Sequence, residues 1–278
     1  MVAITKTELI KLLNLYNLSA DKKLGQNFLI DENVVKKIVN LADVVGKDVI
    51  EIGSGPGTLT VFLSRIANSV YAVEIDKKIL NVLLEVTKEL QNVNIINEDI
   101  LQFDFHNLKK DKLIIVGNLP YYITSQILFK IFENRKLIDS FTIMIQKEVA
   151  QRILAKPNTK EYGILTVSFN FYCDYVDQFM VSKNVFYPKP DVDSAVIKAK
   201  FKDNIPDIDE ALFFSIVHAC FNTRRKTILN ALSINLDIEK DKIERILDKA
   251  NIDPNLRAEN LTVENYLTLY YTVVKNMK

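Results

Sequence analysis

Apolar positions along the chain follow two rhythms. Between residues 48 and 146, short and nearly continuous apolar runs alternate with stretches in which apolar residues recur at helical spacing. The runs are "DVIEI" (48–52), "SVYAVEI" (69–75), "VNIIN" (93–97), "LIIVG" (113–117) and "SFTIMIQ" (140–146). They are rich in β-branched residues, as strands covered on both faces of a parallel sheet are. "KKILNVLLEVTKEL" (77–90) lies between two of them, and "DENVVKKIVNLADVV" (31–45) precedes them all. Both have helical spacing, and Asp31 stands where a helix N-cap belongs. Strand alternating with helix predicts an α/β fold with a doubly wound sheet. Further on, "YGILTVSFNFYC" (162–173) predicts a helix, and "YVDQFMV" (175–181) and "DSAVIKAKF" (193–201) predict two more strands. Beyond about Asp203 only helical spacing remains, over residues 209–221, 224–233, 238–250 and 263–276. The pattern therefore predicts one domain over residues 1–203 and a small all-α domain over 204–278, joined at "KDNIPDI" (202–208).

Composition narrows the class. A chain of 278 residues with 48% hydrophobic and 26% charged residues has the balance of a globular enzyme. No apolar run approaches the roughly 20 residues of a membrane span. The start, "MVAITKTELIKLLNLYNLSADKK", lacks the apolar core of a signal peptide. A cytoplasmic location without membrane attachment is expected. Cys173 and Cys220 stand apart, with neither zinc spacing nor a disulfide framework, so no metal is expected and both read as core residues. His218 sits inside the apolar "FFSIVHACF", and His106 offers it no catalytic pairing. The net charge of +1 means that any nucleic-acid binding must come from local patches. Candidate patches are Lys22–Lys23, "KKDK" (109–112) and "NTRRKT" (222–227), though each taken alone fits an ordinary solvated surface.

Chemistry enters after the first strand. "EIGSGPGTLT" (51–60) places glycines at 53, 55 and 57 in a strand-to-helix turn, where the backbone can approach a ligand. The dinucleotide fingerprint G-x-G-x-x-G fails, because Thr58 occupies its third glycine position. Glu74 falls near the end of the second strand, where a carboxylate accepts hydrogen bonds from ribose hydroxyls. Asp99 follows the third strand, placed to accept from an adenine amino group. Three such groups at successive strand ends point to an adenosine-containing cofactor without a pyrophosphate.

The fourth strand runs into "NLPYYI" (118–123). The order of glycine loop, acidic strand end, aspartate and "NLPY" resembles the S-adenosylmethionine-dependent amino-group methyltransferases. "GQNFL" (25–29), "QKEVAQRI" (146–153), "FYPKPDVDSAV" (186–196), "FNTRRKTILNAL" (221–232) and "DPNLRAENLT" (253–262) sharpen the resemblance. Over about residues 19 to 275 the chain resembles the KsgA/RsmA family of ribosomal RNA adenine N6,N6-dimethyltransferases. One departure is local: the family usually reads E-I-G-P-G-x-G, whereas here Ser54 takes the proline's place and Pro56 follows the second glycine.

The resemblance implies a Rossmann-like class I methyltransferase sheet with a helical substrate domain. It implies S-adenosyl-L-methionine as cofactor, held by Gln26, Asn27, Leu29, Gly53, Gly55, Gly57, Glu74, Ile75, Asp99, Ile100 and Asn118. The catalytic set would be Asn118, Leu119, Pro120, Tyr121 and Phe186. Asn118 and a carbonyl of the Leu119–Pro120 segment would accept hydrogen bonds from the adenine amino group, Pro120 would stiffen the turn, and Tyr121 and Phe186 would stack on the base. Tyr122 reads as a packing residue. Arg224, Arg225 and Lys226 would contact RNA. The implied substrate is small-subunit rRNA in the immature 30S particle, met by a monomer. Two rivals stay open: the macrolide-resistance type of enzyme, which dimethylates a large-subunit adenine, and a small-subunit assembly factor in which methylation is incidental.

Overall fold

In the computed structural model, residues 5–20 and 25–277 are described; Lys22 and Lys23 lie outside them. The chain divides into two compact units, Met1–Ala150 with Asp174–Phe201, and Gln151–Cys173 with Lys202–Lys278.

The elements of the first unit, in order, are α1 (Lys6–Leu15), β1 (Phe28–Leu29), α2 (Glu32–Ala42), β2 (Asp48–Ile52), α3 (Thr58–Leu63), β3 (Ser69–Val73), α4 (Leu80–Thr87), β4 (Val93–Ile96), β5 (Leu113–Asn118), α5 (Thr124–Glu133) and β6 (Ile138–Gln146). Then α6 (Lys147–Ile153) and α7 (Ile164–Tyr172) lead to β7 (Cys173–Val181), β8 (Phe186–Tyr187) and β9 (Ser194–Phe201). Seven strands form one sheet in the order β4-β3-β2-β5-β6-β9-β7, and β1 pairs with β8 in a separate two-stranded ribbon. The pairs β2–β3, β3–β4, β2–β5 and β5–β6 are parallel, and β9 runs antiparallel to β6. All five expected strands of the doubly wound region are present. The chain winds outward from β2 to β4, then restarts on the other side of β2 with β5. That reversal is the switch point at which open α/β sheets bind ligands.

Local sequence explains these elements. The Asp31 carboxylate accepts from the Asn33 and Val34 amides at 2.9 and 3.0 Å and starts α2, as its spacing predicts. Val35, Ile38, Val39 and Ala42 then form one buried helical face. That face joins Val49, Val70, Ile114 and Val116 of the sheet in a single core cluster. Gly117 lets β2 and β5 close up: a Cβ there would lie 2.6 Å from the Ile52 carbonyl oxygen. Helix α1 begins with a capping box in which Thr5 and Glu8 satisfy each other's backbone amides. Its Leu9 and Leu13 pack with Phe28, Ile79 and Val82.

The second unit contains α7 and the helices α8 (Glu210–Asn222), α9 (Ile228–Leu236), α10 (Lys240–Lys249) and α11 (Val263–Met277). It takes in residues 151–173, which the helical rhythm alone assigns to the first domain. The reason is aromatic packing: Phe171 stacks on Phe213 with ring centroids 4.7 Å apart, and the Tyr172 hydroxyl donates to Glu210 at 2.7 Å. Helix α9 starts later than expected. Thr227 caps it, so Arg224, Arg225 and Lys226 lie in the preceding turn. Among the described residues no helix is long and apolar enough to cross a membrane. No group of three or more metal-ligating side chains occurs among them either.

Candidate cofactor and catalytic site

The carboxyl ends of β2, β3, β4 and β5 open into one cleft, the place where open α/β sheets bind small molecules. After β2, the turn is held by the Gly53 amide donating to the Val73 carbonyl at 3.0 Å. Gly55 has φ +53° and turns its amide toward β3; a Cβ on it would meet the Phe28 ring at 3.3 Å. This is a backbone shape that glycine alone adopts without cost.

Glu74 sits just past the end of β3 and is 7% exposed. Its Oε2 accepts from the Gly55 amide and its Oε1 from the Asp76 amide, each at 2.8 Å. Burial pushes its carboxyl above the usual range, against the pull of those amides. Each oxygen keeps a further lone pair for a ligand. Gln26 donates to Asp76 Oδ2 at 2.7 Å, fastening the segment before α2 to the same corner. Beyond β4, Asp99 Oδ1 accepts from the Leu101 amide at 2.9 Å. Ile75, 47% exposed, and Ile100, 6% exposed, give the cleft apolar walls.

At the end of β5 the Asn118 amide nitrogen donates to the Asn27 carbonyl at 2.8 Å. A carbonyl can only accept, so the amide nitrogen faces Asn27 and Oδ1 faces away. Among the described residues nothing donates to that oxygen. The Leu119 amide is anchored on the Met144 carbonyl at 3.0 Å. The Pro120 carbonyl accepts from the Thr124 hydroxyl at 3.0 Å and the Ile123 amide at 3.3 Å. The Leu119 carbonyl accepts from no described residue, and is thereby the free acceptor of this segment. The Tyr121 hydroxyl bonds to Ser194 Oγ at 2.7 Å, which fixes the ring; burial raises its pKa.

The cleft therefore brings together Gln26, Asn27, Gly53, Gly55, Glu74, Ile75, Asp99, Ile100, Asn118, Leu119, Pro120 and Tyr121. Leu29 lines a smaller adjoining hollow with Glu51, Ser54 and Thr58. Gly57 is the N-cap of α3, with φ 90°, and shapes the loop from behind. Phe186 lies elsewhere than expected. It pairs with Leu29 through β1–β8 and is 3% exposed within the core, so its ring offers no open face to a base. Arg224 is also committed: its Nε donates to Glu259 at 3.0 Å and its Nη2 to the Thr159 carbonyl at 3.3 Å. In "KKDK", Lys110 pairs with Asp48 at 3.0 Å.

Two residues escaped the sequence reading. Tyr122 is 57% exposed and lines the cleft rather than packing inward. Glu51, 1% exposed, accepts from the Thr60 hydroxyl at 2.6 Å beneath the glycine loop. Burial, reinforced by the Glu74 charge, raises its pKa to about 8. An acidic residue between the apolar Ile50 and Ile52 of "DVIEI" was the available signal.

These residues fit S-adenosylmethionine. A buried carboxylate with spare lone pairs suits a ribose, Asp99 suits an adenine amino group, and the exposed Ile75 side chain at the rim suits the flat face of a base. Such groups around a parallel switch point define a class I S-adenosylmethionine-dependent methyltransferase. The family follows from comparison: a profile described as ribosomal RNA adenine dimethylase matches residues 17–275, and the chain belongs to that family. Ribosomal RNA small subunit methyltransferase A of Alkaliphilus metalliredigens is 43% identical over 263 residues, spanning 91% of this chain and 92% of the relative. The protein of the same name from Clostridium botulinum is 43% identical over 261 residues, spanning 92% and 94%. A dimethyladenosine transferase from Plasmodium falciparum matches with TM-score 0.78 at 25% identity, over 90% of this chain and 98% of that one. The 23S rRNA methyltransferase ErmE matches with TM-score 0.67 at 27% identity, over 89% and 100%. This chain is accordingly an S-adenosylmethionine-dependent rRNA adenine methyltransferase.

Proposed function

We propose that the chain dimethylates N6 of two adjacent adenosines near the 3′ end of small-subunit rRNA, acting as a monomer on the immature small subunit. Small-subunit choice is favoured by relatives at 43% identity that carry that name, against 27% for the large-subunit enzyme ErmE. The observation that carries the chemistry is the orientation of Asn118. Its nitrogen is spent on Asn27, which leaves Oδ1 to accept an adenine amino hydrogen. The open Leu119 carbonyl is the second acceptor of the same amino group.

When bound, S-adenosylmethionine supplies a sulfonium methyl as the electrophile. The chain's part is to hold the amino nitrogen. Two acceptors favour a pyramidal nitrogen and gain strength as positive charge develops on it, so they act mainly on the transition state. No general base is needed before attack, because the amino proton becomes acidic only after methylation. Tyr121, locked by Ser194, offers a ring edge or face to the base, and stacking on such a ring is worth roughly 1–3 kcal/mol. The adenine must be extruded or unpaired to reach the cleft.

Single-turnover transfer to unmethylated small and large subunits, with modified positions mapped, tests this reading. Asn118→Ala should lower the rate roughly 10²-fold or more, a larger effect than its effect on cofactor affinity. Asn118→Asp should keep more activity than Ala, yet less than the native residue, because it sets an oxygen against the Asn27 carbonyl. Modification confined to the large subunit, or near-native turnover in Asn118→Ala, would refute the proposal.

A further inference from the structure

Within the second unit, residues 156–161 form a loop that is fastened at several points to segments distant in sequence. The Asn158 amide donates to the Glu259 carbonyl at 2.8 Å, and Asn260 Nδ2 donates to Asn158 Oδ1 at 2.7 Å. Arg224 bridges both partners, donating to the Glu259 carboxylate at 3.0 Å and to the Thr159 carbonyl at 3.3 Å. These bonds bring the loop beside the α8–α9 turn. Lys156, Lys160, Arg225, Lys226 and Arg257 are all exposed, and each lies within two residues of a bonded position. Glu259 is already paired with Arg224. Lys160 meets Glu161 only loosely, at 3.6 Å with 91% of its side chain exposed. Lys156, Arg225, Lys226 and Arg257 make no ion pair with any described residue. A chain of net charge +1 thus concentrates free cations at one place.

We propose that the 156–161 loop and the α8–α9 turn form a single phosphate-binding surface for the rRNA backbone. Lys156, Lys160, Arg225 and Lys226 make the contacts; Arg224 and Glu259 are positioning residues that clamp the loop in place. The proposal rests on the reading of the chain as an rRNA methyltransferase. It moves Arg224 from RNA contact to scaffold and brings in two lysines some 65 residues earlier in the chain. Flexible cations presented together release counterions together, so each phosphate contact should appear in the salt dependence of binding.

The test measures affinity of the full chain for a small-subunit rRNA fragment and for unmethylated small subunits across a salt series. Removing both contacts in a Lys156→Ala, Lys160→Ala double variant should flatten the slope of log affinity against log salt by about 1.4–1.8. Cofactor affinity should not change. Lys240→Ala with Lys242→Ala removes the same charge from exposed positions of α10 and should leave the slope alone. Glu259→Ala discriminates clamp from charge. Deleting a negative charge should tighten RNA binding if only net charge matters, whereas loss of the clamp should weaken it, and a thermal melt verifies folding. An unchanged slope in the lysine variant, an equal effect of the α10 control, or tighter binding by Glu259→Ala would overturn the proposal. If the wild type binds this RNA without methylating the subunits, the functional reading fails while the slopes still judge the surface.

Discussion

Glu51 predicts a pH dependence that can be isolated from the rest of the chain. Its carboxyl is buried beside the glycine loop, bonded to Thr60, and its pKa stands at about 8 instead of 4.5. Burial is the main cause and the Glu74 charge adds to it. Because the folded pKa is raised, folding binds a proton that the unfolded chain releases. The contribution to stability is complete below pH 4.5, falls as pH rises, and is lost once pH passes about 8. Each pKa unit corresponds to about 1.36 kcal/mol, so ionising Glu51 in the folded chain costs on the order of 5 kcal/mol. Most of that, about 3 kcal/mol, is already felt at pH 7. Glu51→Gln keeps an oxygen for the Thr60 hydroxyl and removes the titration. The two proteins should melt together near pH 4.5, and the variant should gain on the wild type as pH rises. With about 2–4 °C per kcal/mol for a chain of this size, the gap at pH 8 should be on the order of 10 °C. Thermal unfolding followed by circular dichroism in half-unit pH steps measures it, and taking the difference cancels the titrating groups that do not interact with Glu51. A gap that stays flat from pH 4.5 to 9 would refute a raised Glu51 pKa.

Two further predictions concern the neighbouring strand ends. Glu74→Ala should weaken S-adenosylmethionine binding by roughly 1.5–3 kcal/mol, about 10- to 150-fold, since it deletes a charged acceptor; calorimetry against the exposed control Lys77→Ala checks this. Gly117→Ala should destabilise the protein by roughly 1–3 kcal/mol and slow methyl transfer, because its Cβ would press on the Ile52 carbonyl at 2.6 Å and move Asn118; an unaltered melting temperature would exclude that close approach.

Strong periodicity made the sheet legible. All five central strands were readable because each is an apolar run bounded by polar residues, and the Asp31 cap marked α2. What escaped was short, distant or ambiguous. β1 and β8 have two residues each and pair Phe28 with Tyr187 and Leu29 with Phe186, so no local period betrays them. That pairing also buries Phe186. The α7 stretch reads as helix, but apolar spacing cannot say which body it joins; Phe213, far along the chain, decides that. Arg224 looked like its neighbours because a cation's partner is invisible until Glu259 folds against it. That Gly53, Gly55, Glu74 and Asp99 line one cleft was legible because they follow strand ends, where open parallel sheets bind ligands.

The asymmetry of the two buried carboxylates follows from the same geometry. Glu51 and Glu74 flank one glycine turn, each on a strand next to the other. Two negative charges there would repel each other, and the Glu74 charge accordingly adds to the rise in the Glu51 pKa. Glu74 holds two backbone amides, from Gly55 and Asp76, which favour its ionised form against the cost of burial. Glu51 has a hydroxyl donor and deeper burial, which favour the neutral form at neutral pH. The acid that opens into the cleft thus holds the amide donors, while the more strongly raised acid stays under the loop. Asn118 completes the division across β2 and β5. Its side-chain nitrogen donates to the Asn27 carbonyl, so the segment before α2 and the end of β5 are joined by one bond, and Gly117 lets β2 and β5 close up beside it.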